Sequence, residues 1–162
     1  MDPTISEKII FLSGFSADDT VLEIGPGKGA LTLPLAGKVK HVVAVEKDVQ
    51  LVEWLSGSLK KAGLNNVTLL HGDILKLDWK TLRNHFQGRI PIIGNLPYNI
   101  SSPVLEKMCQ NPQWMGQAVL MFQKEVAERL TASSGSKTYG ALTLMVQYHA
   151  RVLSLLKVLK GS

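Results

Sequence analysis

Four consecutive residues, Asn95-Leu96-Pro97-Tyr98, combine an amide, a proline turn and an aromatic ring. Pro97 fixes its own backbone and favours extended geometry at Leu96, so the turn can direct several groups towards one point. The Asn95 carboxamide oxygen and a carbonyl of Leu96 or Pro97 could accept the two hydrogens of an adenine amine, while Tyr98 stacks on the base. Such an arrangement aims the nitrogen lone pair at an electrophile and needs no strong base. An ordinary surface turn is the alternative interpretation.

A glycine-rich segment, residues 23–29, lies earlier in the chain and follows a short apolar run. Its G-x-G-x-G spacing differs from the G-x-G-x-x-G of dinucleotide sites, but its glycines permit a tight turn and close approach of a ligand. Glu46 follows Gly25 by about 20 residues, where an acidic side chain can accept both ribose hydroxyls. The pair predicts a nucleoside-bearing cofactor without separating a nicotinamide from S-adenosylmethionine. A simple strand-to-helix turn and a solvated carboxylate are the alternatives.

A third candidate segment, Gly72-Asp73-Ile74, follows another apolar run. Asp73 could accept a hydrogen bond from the exocyclic amine of an adenine, and Ile74 could cover the ring. Taken alone, Asp73 is more typical of a turn or a helix cap.

Elements that would bring these segments together are indicated by apolar runs that alternate with helical patterns. Strands are predicted at residues 21–24, 41–45, 67–70, 90–93, 118–122 and 152–158, and helices at 31–36, 49–61, 102–108, 124–130 and 141–149. This alternation favours an α/β fold with a mostly parallel sheet covered on both faces. Ligands of such folds bind at the carboxyl ends of the strands, which is where all three segments fall.

Composition narrows the class of protein further. The 162 residues suit one domain, and 45% hydrophobic with 19% charged residues is ordinary for a globular chain. No apolar run approaches the ~20 residues of a membrane span, and no signal peptide is recognisable, so we expect a cytoplasmic protein and no membrane partner. Cys109 is the single cysteine, and no Cys/His cluster has metal-ligand spacing, so no metal is expected. The net charge of +5 fits a polyanionic partner but does not by itself identify one.

Together these segments resemble the ribosomal RNA adenine dimethyltransferases of the KsgA type, which share ancestry with the erythromycin-resistance RNA methylases. The resemblance runs from Asp2 to about Val158, and Leu96 favours the housekeeping enzymes over the resistance enzymes. The segments that carry it are VLEIGPG (21–27), VEKD (45–48), GD (72–73), GNLPYNISSP (94–103), QKEVAERL (123–130) and YGAL (139–142).

The resemblance implies a doubly wound, Rossmann-like methyltransferase that transfers methyl groups from S-adenosylmethionine to N6 of adenines in small-subunit ribosomal RNA, within an assembling subunit. It assigns the methionine side of the cofactor to Glu23, Gly25 and Gly27. Its ribose would bind Glu46, and its adenine would bind Asp73 between Lys47 and Ile74. The target adenine would lie on Asn95, Leu96, Pro97 and Tyr98, with Asn95 also close to the cofactor.

The chain also departs from that family at both ends. A basic segment and a stretch that closes over the cofactor normally precede the residues matching Asp2-Pro3, and a seventh strand and a helical RNA-contacting domain normally follow Val158. We therefore expect residues 1–158 to be the methyltransferase core and 159–162 a foreign remnant. We expect the chain to fold and bind cofactor weakly, with impaired methyl transfer. Without the seventh strand, strand 152–158 lacks its neighbour, which predicts a displaced C-terminus or a non-native dimer through the exposed sheet edge.

Two other classes remain open from the residues. A nicotinamide-dependent oxidoreductase would use the glycine segment and Glu46, but it leaves residues 95–98 unexplained and offers no Tyr-x-x-x-Lys pair. A non-catalytic RNA- or ribosome-binding module would keep only the fold.

Overall fold

Five short, mostly apolar runs form the strands of one parallel sheet in a computed structural model that describes residues 3–158. The strands are β1 (Thr20–Ile24), β2 (His41–Glu46), β3 (Val67–His71), β4 (Ile90–Asn95) and β5 (Met115–Met121), in the spatial order β3-β2-β1-β4-β5. The helices are α1 (Pro3–Ser13), α2 (Thr32–Ala36), α3 (Val49–Lys61), α4 (Trp79–Arg83), α5 (Tyr98–Cys109), α6 (Lys124–Leu130) and α7 (Ala141–His149).

Helices cover both faces of this sheet, because side chains alternate between its faces along each strand. One apolar cluster joins strand residues to α4 and α5, and it includes Leu22, Ile24, Val43, Ile92, Trp79, Leu82 and Val104. The other joins the opposite face to α1 and α2, and it includes Val21, Val42, Ala44, Ile93, Ile9, Ile10, Leu31 and Leu35. Each fully buried aliphatic side chain contributes about 1.5–3 kcal/mol, so the two clusters hold the sheet between its helices.

The predicted α/β fold is confirmed, and β1 to β4 fall where short apolar runs predicted them, whereas β5 begins three residues before its predicted start at residue 118. Asp48 caps α3 as expected, since its carboxylate accepts a hydrogen bond from the Gln50 N–H at 2.8 Å. Helices α1 and α4 had not been predicted. The apolar residues of these two helices become buried only by packing against the rest of the fold, and their spacing along the chain did not predict helices.

Helix α5 corrects one predicted boundary. Residues 102–108 were predicted to form a helix opening at Pro103, but the helix begins at Tyr98 and contains Pro103. Pro97 supplies an earlier start because its backbone is extended and its carbonyl accepts the Ile100 N–H at 3.1 Å. Pro103 then removes only one helical hydrogen bond near the start of α5.

The last predicted strand is also wrong, because residues 152–158 have no regular secondary structure. A strand needs a neighbour for its backbone hydrogen bonds, and this segment pairs with no strand of the described chain. Val152 and Leu156 instead pack against separate apolar clusters, while Leu153 and Leu155 are exposed. Residues 152–158 therefore do not pair with the sheet, as the predicted displacement requires, whereas a dimer through the sheet edge remains a prediction.

Two further expectations concern the chain as a whole. Across residues 3–158, every helix falls short of the length and apolarity that crossing a bilayer requires. The predicted remnant, residues 159–162, lies outside the described residues.

Gly94 of β4 lies directly beside Ile24 of β1, with no room for a side chain between the two backbones. A Cβ at position 94 would stand 2.8 Å from the Ile24 carbonyl oxygen, a backbone atom that cannot move aside without opening the sheet. We expect Gly94→Ala to lower the free energy of unfolding by about 1–3 kcal/mol in urea titrations. Gly57→Ala is the matched control, since Gly57 is a helical position of α3 with open space around it, and it should stabilise by about 0.5–1 kcal/mol. Equal effects of the two substitutions would contradict this account.

Candidate active site

The candidate residues meet at one edge of the sheet because all five strands run in the same direction. In the strand register, Ile24 lies beside Gly94 and Val45, and Glu46 lies beside His71. The loops that follow β1, β2, β3 and β4 are therefore neighbours. The sequence placed a candidate segment on each of these loops, and the fold brings them side by side.

The glycine segment folds back over the end of β2. Gly25 and Gly27 have φ values of +68° and +56°, a backbone conformation that glycine adopts without strain. The Gly25 N–H donates to the Val45 carbonyl at 3.0 Å, and the Gly27 N–H donates to the Glu46 carboxylate at 3.0 Å. The segment thus forms a tight turn directly against the acidic residue with which it was paired.

Backbone N–H groups hold both oxygens of the Glu46 carboxylate. Oε2 accepts from Gly27, and Oε1 accepts from Lys47 at 2.8 Å and from Asp48 at 3.0 Å. These bonds fix the orientation of the carboxylate at the end of β2. The solvated-loop interpretation of Glu46 does not describe this environment.

Asp73 is attached to the same region through its own partners. Its Oδ1 accepts the Leu75 N–H at 3.0 Å, and its Oδ2 forms an ion pair of 3.0 Å with the Lys47 ammonium. The Leu75 hydrogen bond and then the Lys47 ammonium hold the pKa of Asp73 below its usual value. The adjacent Gly72 N–H donates to the Glu46 carbonyl at 2.8 Å, so the β2 and β3 loops are joined.

The turn after β4 is anchored at its centre and open at its surface. The Leu96 side chain is 2% exposed and packs in the core, and its N–H donates to the Met121 carbonyl at 3.1 Å. The Pro97 carbonyl is occupied by the Ile100 N–H and by the Ser101 hydroxyl at 3.0 Å. No donor reaches the Leu96 carbonyl within the described part of the chain. The two carbonyls that the sequence could not distinguish therefore differ, and the Leu96 carbonyl is the one free to accept. Asn95 is exposed, and the Tyr98 ring is 63% exposed.

Glu23 is a carboxyl in the protein interior. It is 1% exposed on the central strand, and its Oε2 and the neighbouring Thr32 hydroxyl both lack hydrogen-bond partners among residues 3–158. Burial raises the pKa of Glu23 from 4.5 to about 7. The negative charge of Glu46 raises it further, and the Thr32 hydroxyl, which lies near the carboxyl without forming a hydrogen bond of normal geometry, lowers it in part. The unpartnered Glu23 oxygen belongs to the strand that leads into the glycine turn and has no contact with solvent, so only a group that enters beside β1 could donate to it.

The structure adds residues to the candidate site that were not predicted from the sequence, and it places one predicted residue in a different environment. Thr32 lies beside Glu23 and is outside every candidate segment, whereas Ser101, which donates to the Pro97 carbonyl, lies within GNLPYNISSP but was assigned no role. The Ile74 side chain is almost completely buried in the core, although it was expected to cover a ligand ring. Across residues 3–158, no three His, Cys, Asp or Glu side chains come together as a metal site requires.

The parallel sheet, with a glycine turn after β1 and carboxylates after β2 and β3, defines a Rossmann-like α/β fold, and the solved structures that it clearly resembles are RNA-modifying methyltransferases. A dimethyladenosine transferase from Plasmodium falciparum superimposes with a TM-score of 0.78 at 35% identity, covering 90% of this chain and 50% of that one. The 23S rRNA methyltransferase ErmE superimposes with a TM-score of 0.74 at 26% identity, covering 91% and 56%.

Sequence relatives narrow the class to one family. The family model described as ribosomal RNA adenine dimethylase matches residues 1–160, and the chain belongs to that family. The ribosomal RNA small subunit methyltransferase A of Desulforapulum autotrophicum is 48% identical over 152 residues, covering 93% of this chain and 52% of that protein. The protein of the same name from Geobacter sulfurreducens is 44% identical, covering 99% and 58%. The chain therefore spans a little more than half the length of these relatives.

Proposed function

We propose that this chain forms the cofactor- and adenine-binding part of a methyltransferase that transfers methyl groups from S-adenosylmethionine to N6 of adenines in small-subunit ribosomal RNA. The observation that carries this proposal is the turn after β4, where the exposed Asn95 amide and the free Leu96 carbonyl lie beside the glycine turn of β1. Membership of the adenine dimethylase family supports the choice of reaction and substrate. The enzyme would act in the cytoplasm on an assembling ribosomal subunit.

The cofactor fits the acceptors at the ends of β1, β2 and β3. Glu46 would bind the ribose, because its Oε2 already accepts a hydrogen bond there from Gly27 and could accept one from a hydroxyl. Asp73 would accept from the adenine amine, displacing the Lys47 ammonium that now pairs with it. Lys47 would flank the ring, and Ile74, whose side chain packs in the core, would contact it only with the 5% of its surface that is exposed. Gly25 and Gly27 would allow the methionine part of the cofactor to approach the backbone. The ammonium of that part would be a hydrogen-bond donor for the Glu23 oxygen, which has no partner among residues 3–158.

Bound S-adenosylmethionine supplies an electrophilic methyl group, and the chain positions the nucleophile. The amine nitrogen of adenine is a weak nucleophile because the ring delocalises its lone pair. Hydrogen bonds from this amine to the Asn95 oxygen and the Leu96 carbonyl would favour a pyramidal nitrogen with a directed lone pair. Tyr98, at the first position of α5, would stack on a base that has left its helix. Pro97 holds these groups in place, since its carbonyl caps α5.

A calorimetric titration tests the cofactor. We expect S-adenosylmethionine to bind and NAD not to bind, and we expect Asp73→Asn to weaken binding about tenfold because it removes one charged hydrogen-bond acceptor. Asp78→Asn is the matched control, an exposed carboxylate in the same loop that caps α4. Binding of NAD alone would contradict the methyltransferase assignment. Equal weakening by the two substitutions would contradict the role of Asp73.

A further inference from the structure

Lys107 is a lysine of α5 whose ammonium contacts the loop between β3 and α4. Its Nζ donates hydrogen bonds to the Leu75 carbonyl at 2.5 Å and to the Leu77 carbonyl at 2.7 Å. The side chain is half-buried, and burial lowers the pKa of Lys107 although the carboxylates of Asp73 and Asp78 favour its charged form. The Lys107 ammonium is therefore partly removed from water, and its two hydrogen bonds to backbone carbonyls replace the water that it loses.

The contacted loop is the one that carries Asp73. The Asp73 carboxylate accepts the Leu75 N–H, and its backbone carbonyl accepts the N–H groups of Lys76 and Leu77, so residues 73–77 form one tight turn. The N–H groups of Leu75 and Leu77 point back to Asp73, and their carbonyls are held by Lys107. The direction of the Asp73 carboxylate therefore depends on the 73–77 turn, and the hydrogen bonds from Lys107 to the Leu75 and Leu77 carbonyls hold that turn in place.

The same helix carries the proposed target-base turn at its opposite end. α5 begins at Tyr98 and is capped by Pro97, and Lys107 lies in its last turn. A single helix thus connects the turn that would hold the target adenine to the loop that would bind the adenine of the cofactor.

We propose that Lys107 is a positioning residue that holds the 73–77 turn so that Asp73 selects an adenine base in the cofactor. This inference rests on the proposed function of Asp73. It adds that the selectivity for adenine depends on a lysine of α5 outside every candidate segment. Lys107 contacts the loop backbone and acts on the ligand only through Asp73.

The test compares two ligands that differ at the exocyclic position of the base. S-adenosylhomocysteine presents an amine to Asp73, and S-inosylhomocysteine presents a carbonyl. Calorimetry of the unaltered chain should show a preference for the adenosyl ligand, and Lys107→Met should reduce that preference about tenfold, because the carboxylate loses its fixed direction. Lys107→Arg should restore most of the preference, since guanidinium can donate to both carbonyls. Lys80→Met, which changes an exposed lysine of α4, should leave the preference unchanged.

Hydrogen exchange supplies a readout that needs no ligand. In Lys107→Met the amides of residues 72–78 should exchange at least about fivefold faster, while those of β1 and β2 stay the same. If Lys107→Met does not fold, Lys107→Gln serves in its place because its amide can still fill part of the site.

Each outcome bears on the proposal. A lower preference for the adenosyl ligand in Lys107→Met, together with faster exchange in the loop, supports it. Loss of affinity for both ligands by the same factor would reveal a merely structural role and overturn it, as would unchanged exchange. If the unaltered chain bound both ligands equally, the proposed role of Asp73 would be wrong. If the unaltered chain preferred the adenosyl ligand and Lys107→Met kept that preference, only the proposed role of Lys107 would be wrong.

Discussion

Replacing Glu23 with glutamine is expected to remove a loss of stability that the unaltered chain undergoes between about pH 4.5 and pH 7. The pKa of the buried carboxyl is about 7 in the folded chain and 4.5 ordinarily, so the folded chain holds a proton that the unfolded chain releases. Stability contributed by this proton is complete below the lower value and is lost as the pH rises through the window. The shift corresponds to about 3 kcal/mol at most. Glutamine has nearly the same shape and no charge, and the unpartnered Thr32 hydroxyl could accept from its amide.

Urea unfolding at about pH 4 and about pH 8 measures this effect, because the two values lie on either side of the titration window. The unaltered chain should lose more stability than Glu23→Gln on going to the higher pH. Glu106→Gln, at an exposed glutamate of α5, should follow the unaltered chain. Parallel pH profiles for Glu23→Gln and the unaltered chain would show that the buried carboxyl does not titrate in this range.

Replacing Asn95 with alanine is expected to lower methyl transfer by about 100-fold, the scale on which loss of one positioning contact acts. The substitution removes the amide oxygen that would hold one hydrogen of the target amine, leaving only the Leu96 carbonyl. Cofactor affinity should fall much less, since Glu46 and Asp73 remain. Single-turnover transfer of a radiolabelled methyl group to small-subunit ribosomal RNA, with the chain in excess, measures the rate.

Asn99 provides the matched control for this experiment. It is an exposed asparagine of the first turn of α5 and no part of the proposed amine site, so Asn99→Ala should transfer at nearly the unaltered rate. Both variants are compared with the same parent chain, so the comparison uses ratios of rates and holds even where the absolute rate is low. Equal rates for Asn95→Ala and the unaltered chain would exclude the proposed role of the amide.

The sequence by itself determined the five central strands and the edge of the sheet at which the candidate site lies. Alternating apolar runs and helical patterns predicted the five observed strands, together with a sixth that does not form, because burial of β-branched residues between two layers leaves a local pattern. Parallel strands put their carboxyl ends at one edge, so the glycine turn, Glu46, Asp73 and residues 95–98 could be expected there before the fold was known.

The tertiary structure alone decided features that depend on contacts distant in sequence. Whether residues 152–158 form a strand depends on a neighbour, and the start of α5 depends on how Pro97 and Ser101 meet. The choice of the Leu96 over the Pro97 carbonyl follows from that same capping. The burial of Glu23 beside Thr32 and the contact of Lys107 with Leu75 and Leu77 join residues from separate elements. The burial of a side chain and the identity of its hydrogen-bond partners depend on how the whole chain packs, whereas a local sequence pattern shows only which residues are apolar.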